Sequence, residues 1–243
     1  MCCPQVEVTR VKICCISSVD EANIAINNGA WALGLVGNMP SGPGIISDLT
    51  IAQISSSVPN HIKTFLLTSE TTAEGIIAHH RRTLTDMIQI VDAVDLDVYG
   101  VLRKGLPEIS MVQVIHVIDQ SSVNTALKIT PHVDYLLLDS GNPNSEIKEL
   151  GGTGRTHNWE LSAEIVERSS IPVFLAGGLG TDNVKSAIEK VSPFGIDLCS
   201  KVRTNNRLDA QKLKLLMRRV SKNQSKNHRF KFLYYTYTPF IRK

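Results

Sequence analysis

The sequence predicts an α/β protein, a single closed (β/α)8 TIM barrel with a short basic-aromatic C-terminal tail. Two observations lead there. Short apolar runs alternate with helix-length amphipathic stretches, and the alternation repeats eight times over the first 220 or so of 243 residues. Strictly alternating elements imply parallel strands, because a parallel neighbour is reached only by a crossover connection. Eight such units in about 220 residues fit a closed barrel near the lower end of its usual size. The alternative, an open doubly wound sheet, places a phosphate-binding glycine turn after its first strand. Here that turn reads Cys15-Ile-Ser-Ser.

Each unit has its own signature. VKICCI (11–16) reads as the first strand, and VDEANIAINNG follows it with apolar residues at helical spacing that stop at Gly29. ALGLVG (32–37) leads through NMPSGPG to SDLTIAQISSSV, where Ser47 is placed to cap the helix. TFLLTS (64–69) precedes TTAEGIIAHHRR, and MIQIVD (87–92) precedes LDVYGVLRKG. MVQVIHV (111–117) precedes SSVNTALKI, and VDYLLLDS (133–140) precedes a long glycine-rich loop and WELSAEIVERS. PVFLAGG (172–178) precedes TDNVKSAIEKV, and FGIDLCS (194–200) precedes LDAQKLKLLMRRV.

Composition bounds the function. The chain is 42% hydrophobic and 20% charged, with no apolar run near the ~20 residues of a membrane helix and no signal-like apolar segment in MCCPQVEVTR. The five cysteines lack Cys-x-x-Cys spacing, so a reducing, cytoplasmic setting without structural disulfides or a zinc ribbon is expected. The net charge of +3 belongs to the end of the chain: residues 221–243 hold six Lys or Arg, no acid and six of the thirteen aromatics. The rest carries 20 basic against 23 acidic residues, which excludes a basic nucleic-acid surface on the body. We therefore divide the chain into a catalytic barrel, 1–220, and an extension, 221–243. A monomer or homodimer acting on a small molecule is expected, with no nucleic-acid or membrane partner.

Barrel chemistry sits at the C-terminal ends of the strands. That rule selects Cys14 or Cys15, Asn38, Asp92, His116, Asp139, Gly177, Gly178 and Ser200. It assigns His79, His80, Arg81 and Arg82 to the opposite face, as a solvated helix end. Side chains alternate along a strand, so Lys12 and Cys14 should point into the barrel while Val11, Ile13 and Cys15 face the helices. A buried thiol is most simply a small hydrophobe, but Asp139, closing the apolar run Tyr135-Leu-Leu-Leu, is a costly carboxylate unless paired or functional. A thiol and a carboxyl facing one cavity can serve as base and acid. The loops Ala176-Gly-Gly-Leu-Gly and Cys199-Ser-Lys-Val-Arg offer backbone donors, Ser200, Lys201 and Arg203 to a phosphate. ELGGTGRTHNW (149–159), with Gly152, Gly154 and Arg155, reads as a cover over the mouth.

The segments VKIC (11–14), LLLDS (136–140), GGTGRTHNW (151–159), PVFLAGGL (172–179), PFGIDLCS (193–200) and LDAQKL (208–213) resemble, in order and spacing, the phosphoribosylanthranilate isomerase family of tryptophan biosynthesis. The resemblance covers residues 8–220. It implies a cofactor-free (β/α)8 barrel that converts an aminoaldose to an aminoketose by Amadori rearrangement. It also implies Cys14 as the base at sugar C2, Asp139 as the acid at the ring oxygen, and phosphate on Gly177, Gly178, Ser200 and Lys201. Four departures stand out. The family has glycine at Cys15, an arginine in the strand-two loop where this chain reads MPSGPGII, Gln-Leu-His-Gly where it reads Gln89-Ile-Val-Asp92, and Ser-Gly where it reads Ser200-Lys201. Lysine at that last position is strained if its φ is positive. Arg155 and Arg203 are the alternative carboxylate or phosphate partners, with Lys12, Asp92 and His116 also near the rim. The competing readings are a related phosphosugar isomerase with another substrate, or a catalytically lapsed binding barrel.

Overall fold

The computed structural model describes residues 9–40, 42–141 and 154–221. Eight parallel strands close in sequence order: β1 (Arg10–Ile13), β2 (Ala32–Val36), β3 (Lys63–Thr68), β4 (Met87–Ile90), β5 (Ser110–His116), β6 (Tyr135–Asp139), β7 (Val173–Leu175) and β8 (Gly195–Leu198). Pairing of β1 with β8, from Arg10–Gly195 to Ile13–Leu198, seals the barrel. The helices are α1 (Val19–Asn27), α2 (Asp48–Ser57), α3 (Ala73–Thr83), α4 (Leu96–Gly105), α5 (Gln120–Ile129), α6 (Trp159–Arg168), α7 (Val184–Val191) and α8 (residues 210–221). The expected barrel is the observed one. Several strands stop a residue or more short of their apolar runs; β4 ends at Ile90 and leaves Asp92 in the following turn.

The alternation of strand side chains builds two cores. Val11, Ile13, Leu33, Leu35, Ile196 and Leu198 point outward and pack against the helices. Ala32, Phe65, Val112, Leu137 and Phe174 point inward. The interior is closed near the N-terminal ends of the strands by aromatic rings, with Phe65 and Phe174 edge-to-face at 5.9 Å and Phe174 and Phe194 at 5.3 Å. The expected Ser47 cap forms, its side chain accepting from Thr50 N–H. No described helix is long and apolar enough to cross a membrane.

One expectation about α3 is corrected. His79 and His80 are buried, not solvated. They share the apolar stripe of Ala73, Ile76 and Thr83, which turns towards the barrel. His79 bridges Thr68 Oγ1 (2.9 Å) and Asp48 Oδ1 (3.1 Å), while His80 bonds the Thr85 carbonyl at 2.8 Å. Burial lowers the His79 pKa despite the Asp48 carboxylate.

Candidate active site

A cavity opens at the C-terminal rim, lined among others by Cys14, Gln89, Asp139, Gly178, Asp197 and Ser200. Strand parity places Lys12 and Cys14 inside, as expected. Lys12 is fully buried beneath Cys14 and makes a 2.9 Å ion pair with Asp197 Oδ2. Register makes this pair: Lys12 on β1 lies directly opposite Asp197 on β8. Burial opposes the ammonium charge, but Asp197 outweighs it and holds the Lys12 pKa above its usual value. The room for this lysine comes from β2. A Cβ on Gly34 would lie 2.9 Å from Lys12 Nζ and 3.0 Å from Cys14 Sγ, so any larger residue would press on both side chains.

Asp139 ends β6, with Oδ1 accepting from Ser140 N–H at 2.7 Å. Burial pushes its pKa up, against that hydrogen bond and the nearby His116 and Lys12. Asp197 is pushed up too, by burial and by Asp139, while Lys12 opposes the shift. Two carboxyl groups thus share one ammonium in a low-dielectric interior, an arrangement that favours retaining a proton. Asp197 was not among the residues selected from the sequence. Its inward parity in Gly195-Ile-Asp-Leu198 and its register with Lys12 were the available signals.

The second cysteine does not behave as parity predicts. The strand ends at Ile13, and Cys15 adopts φ 62°, the left-handed conformation where glycine is at ease. This rotates its side chain off the outer face and into the cavity beside Cys14, its sulfur 3.0 Å from Cys199 Sγ. The glycine preference of the family at this position has its physical reason here. By contrast, Lys201 has no positive φ; it lies exposed in the short 3-10 turn Ser200–Val202.

Arg203 is engaged at the turn after β1. Its guanidinium bonds both Glu21 oxygens (3.1 and 3.2 Å), Cys14 O at 3.1 Å, Asn206 O at 3.0 Å, and Cys15 O. It is a buried clamp on the turn after β1, with only Nε left without a partner. Burial alone would raise the Glu21 pKa; the Leu208 N–H and Arg203 overcome it and hold the carboxyl below its usual value. His116 bonds Val91 O through Nε2 at 3.1 Å, and Asp92 Oδ1 accepts from Ala93 N–H at 2.9 Å, so both stabilise the rim between β4 and β5.

Gly177 and Gly178 have positive φ, 83° and 59°. A Cβ on Gly178 would sit 2.7 Å from the Arg155 carbonyl carbon and 2.8 Å from Gly154 O, so the segment entering α6 crosses directly over this turn. The Arg155 side chain is exposed. Gly152 lies outside the described residues. Burial drives the His157 pKa down to about 4, and its Nε2 bonds Ser162 Oγ at 2.7 Å. Among the described residues no group of three or more His, Cys, Asp or Glu side chains is placed to hold a metal ion.

A (β/α)8 barrel with a thiol and a proton-retaining carboxyl in one rim cavity has the layout of a barrel enzyme equipped for acid–base chemistry. The family model described as N-(5'-phosphoribosyl)anthranilate (PRA) isomerase matches residues 11–219. The chain belongs to this family. It is 33% identical over 198 residues to N-(5'-phosphoribosyl)anthranilate isomerase 2 of Methanosarcina mazei, covering 81% of this chain and 87% of that one. The Haloarcula marismortui N-(5'-phosphoribosyl)anthranilate isomerase is 30% identical over 196 residues, covering 80% and 87%. The crystal structure of the Thermotoga maritima phosphoribosyl anthranilate isomerase superposes with a TM-score of 0.74 at 25% identity, covering 88% of this chain and 99% of that one.

Proposed function

We propose that the protein isomerises N-(5-phosphoribosyl)anthranilate to 1-(2-carboxyphenylamino)-1-deoxyribulose 5-phosphate, with Asp139 as general acid and Cys14 as general base. The observation that carries this reading is that Cys14, just after β1, and Asp139, at the end of β6, line one cavity. Protonated Asp139 gives its proton to the ring oxygen as the C1–O bond breaks, and the amine lone pair forms the Schiff base. The Cys14 thiolate then takes the C2 proton, and the electron pair moves into C1–C2 to give the enolamine, which tautomerises to the ketone. Burial raises the Asp139 pKa, the direction a general acid needs. Gly177, Gly178 and Ser200 cradle the phosphate beside the exposed Lys201, and the exposed Arg155 serves the anthranilate carboxylate. The protein works without a cofactor, as a cytoplasmic monomer or homodimer in tryptophan biosynthesis, with 221–243 as an extension of the barrel.

The test is turnover of substrate generated in situ, followed by loss of anthranilate-type fluorescence, for wild type, Cys14→Ala and Asp139→Asn. Wild-type turnover lost in both variants is expected. An inactive wild type, or two fully active variants, overturns the reading. The loop after β2 has no arginine, which favours a second reading, a related aminosugar phosphate as substrate. Ordinary activity on phosphoribosylanthranilate defeats it.

A further inference from the structure

Three thiols meet at the mouth of the cavity, and the proposed mechanism uses only one. Cys15 Sγ lies 3.0 Å from Cys199 Sγ, 3.9 Å from Cys14 Sγ and 3.5 Å from the Pro43 carbonyl oxygen. The backbone holds the first pair together: Cys14 N–H donates to Leu198 O at 2.8 Å, so the turn after β1 runs beside the end of β8. The loop after β2 covers Cys15 closely; a Cβ on Gly44 would fall 2.5 Å from Cys15 Cβ. Cys199 is half-buried, and all three side chains line the cavity that opens to solvent at the rim.

We propose that Cys15 and Cys199 are an oxidation site for peroxide, closing to a reversible disulfide that stops turnover at the neighbouring Cys14. The effect on turnover rests on the isomerase reading above; the pairing itself does not. The geometry selects these partners. A disulfide joins sulfurs about 2.05 Å apart, so the pair needs to close by about 1 Å. Cys14 and Cys15 are sequence neighbours with Cα atoms about 3.8 Å apart, below the usual disulfide range of about 4.4–6.8 Å. The Cys15–Cys199 contact, then Arg203, lowers the Cys199 pKa against burial, while the Cys15 pKa is raised chiefly by its bond to Cys14. Cys199 is therefore the nucleophile and Cys15 the resolving thiol.

The chemistry balances with peroxide as the oxidant. The Cys199 thiolate attacks one peroxide oxygen, the O–O bond breaks, and the sulfenic acid forms with release of hydroxide. The Cys15 sulfur then attacks the Cys199 sulfur; the S–O bond breaks, the thiol proton and hydroxyl leave as water, and the S–S bond forms. A dithiol reductant reverses it by exchange. Closing the bond draws Cys15 towards β8 and moves the adjacent Cys14; a displacement near 1 Å at a reacting group costs on the order of 100-fold in rate.

The test treats the reduced full-length protein with equimolar hydrogen peroxide, blocks free thiols with an alkylating agent, and maps the linked peptides by tandem mass spectrometry. A Cys15–Cys199 link is expected, with Cys14 alkylated and turnover reduced about 100-fold until dithiothreitol restores it. Cys199→Ser should form no link and keep its own starting rate under the same dose. A Cys14–Cys15 or Cys14–Cys199 link, no link at all, or a Cys199→Ser variant inactivated as fast as wild type overturns the proposal. A Cys15–Cys199 link in a protein whose reduced form turns over no phosphoribosylanthranilate supports the oxidation site and refutes the isomerase reading.

Discussion

Glu21→Ala tests whether the turn bearing Cys14 is held by a charge buried for that purpose. Glu21 sits in the first turn of α1 and receives Arg203, the Leu208 N–H at 2.8 Å and the Ser17 N–H at 3.0 Å. Both side chains of the ion pair are 9% exposed. Truncation leaves a buried guanidinium without its counter-ion and two backbone donors without an acceptor. Breaking a buried pair this way costs about 3 kcal/mol, the low end of what such lesions do, since Arg203 keeps its carbonyl partners. For a chain of this length that is a fall of roughly 6–12 °C in Tm, read by circular dichroism. The acid side adds a sign. The Glu21 carboxyl has a folded pKa below its unfolded value of 4.5. Its contribution is therefore complete above pH 4.5 and lost as the pH falls through the folded value. The gap between wild type and variant should stay constant above pH 5 and close below 4.5. A Tm within 3 °C of wild type, or a gap that widens in acid, refutes the clamp.

Four further outcomes are expected. Asp139→Asn should raise stability at neutral pH, because it removes a carboxyl whose raised pKa makes its ionised form costly in the fold, while cutting kcat about 10²–10⁴-fold. Asp197→Asn should do the reverse to stability, leaving Lys12 buried and unpaired, and chemical denaturation that moves both variants the same way contradicts the assignment. Gly34→Ala should cost about 1–3 kcal/mol by overpacking and shift Cys14, so wild-type kcat in that variant would count against the fit. Leu84 caps α3 at φ 51° with its side chain 71% exposed, so Leu84→Gly should stabilise by about 0.5–1 kcal/mol; a lower Tm contradicts this.

The barrel was legible because its periodicities are strong: Val11 and Ile13 alternate with Lys12 and Cys14, and each strand is followed by a stripe at helical spacing. Cys14 and Asp139 were found from parity and from their place at strand ends. Alternation failed one residue later, because it assumes extended backbone and Cys15 leaves the strand with a positive φ. The pairing of Arg203 with Glu21 was not legible, because the two lie 182 residues apart in sequence. His79 and His80 were read by polarity, although their spacing with Ile76 and Thr83 already placed them on the buried stripe. Long-range pairing between polar groups leaves little local trace.

The sharing of one ammonium by two carboxyls has a consequence for substrate affinity. With Lys12 charged and Asp197 ionised, the interior is neutral only while Asp139 keeps its proton. A phosphate ester arriving at the rim adds negative charge to that interior and tightens the hold on the same proton. Proton uptake and substrate uptake are then linked, each strengthening the other, so affinity should rise as the pH falls through the value set by Asp139.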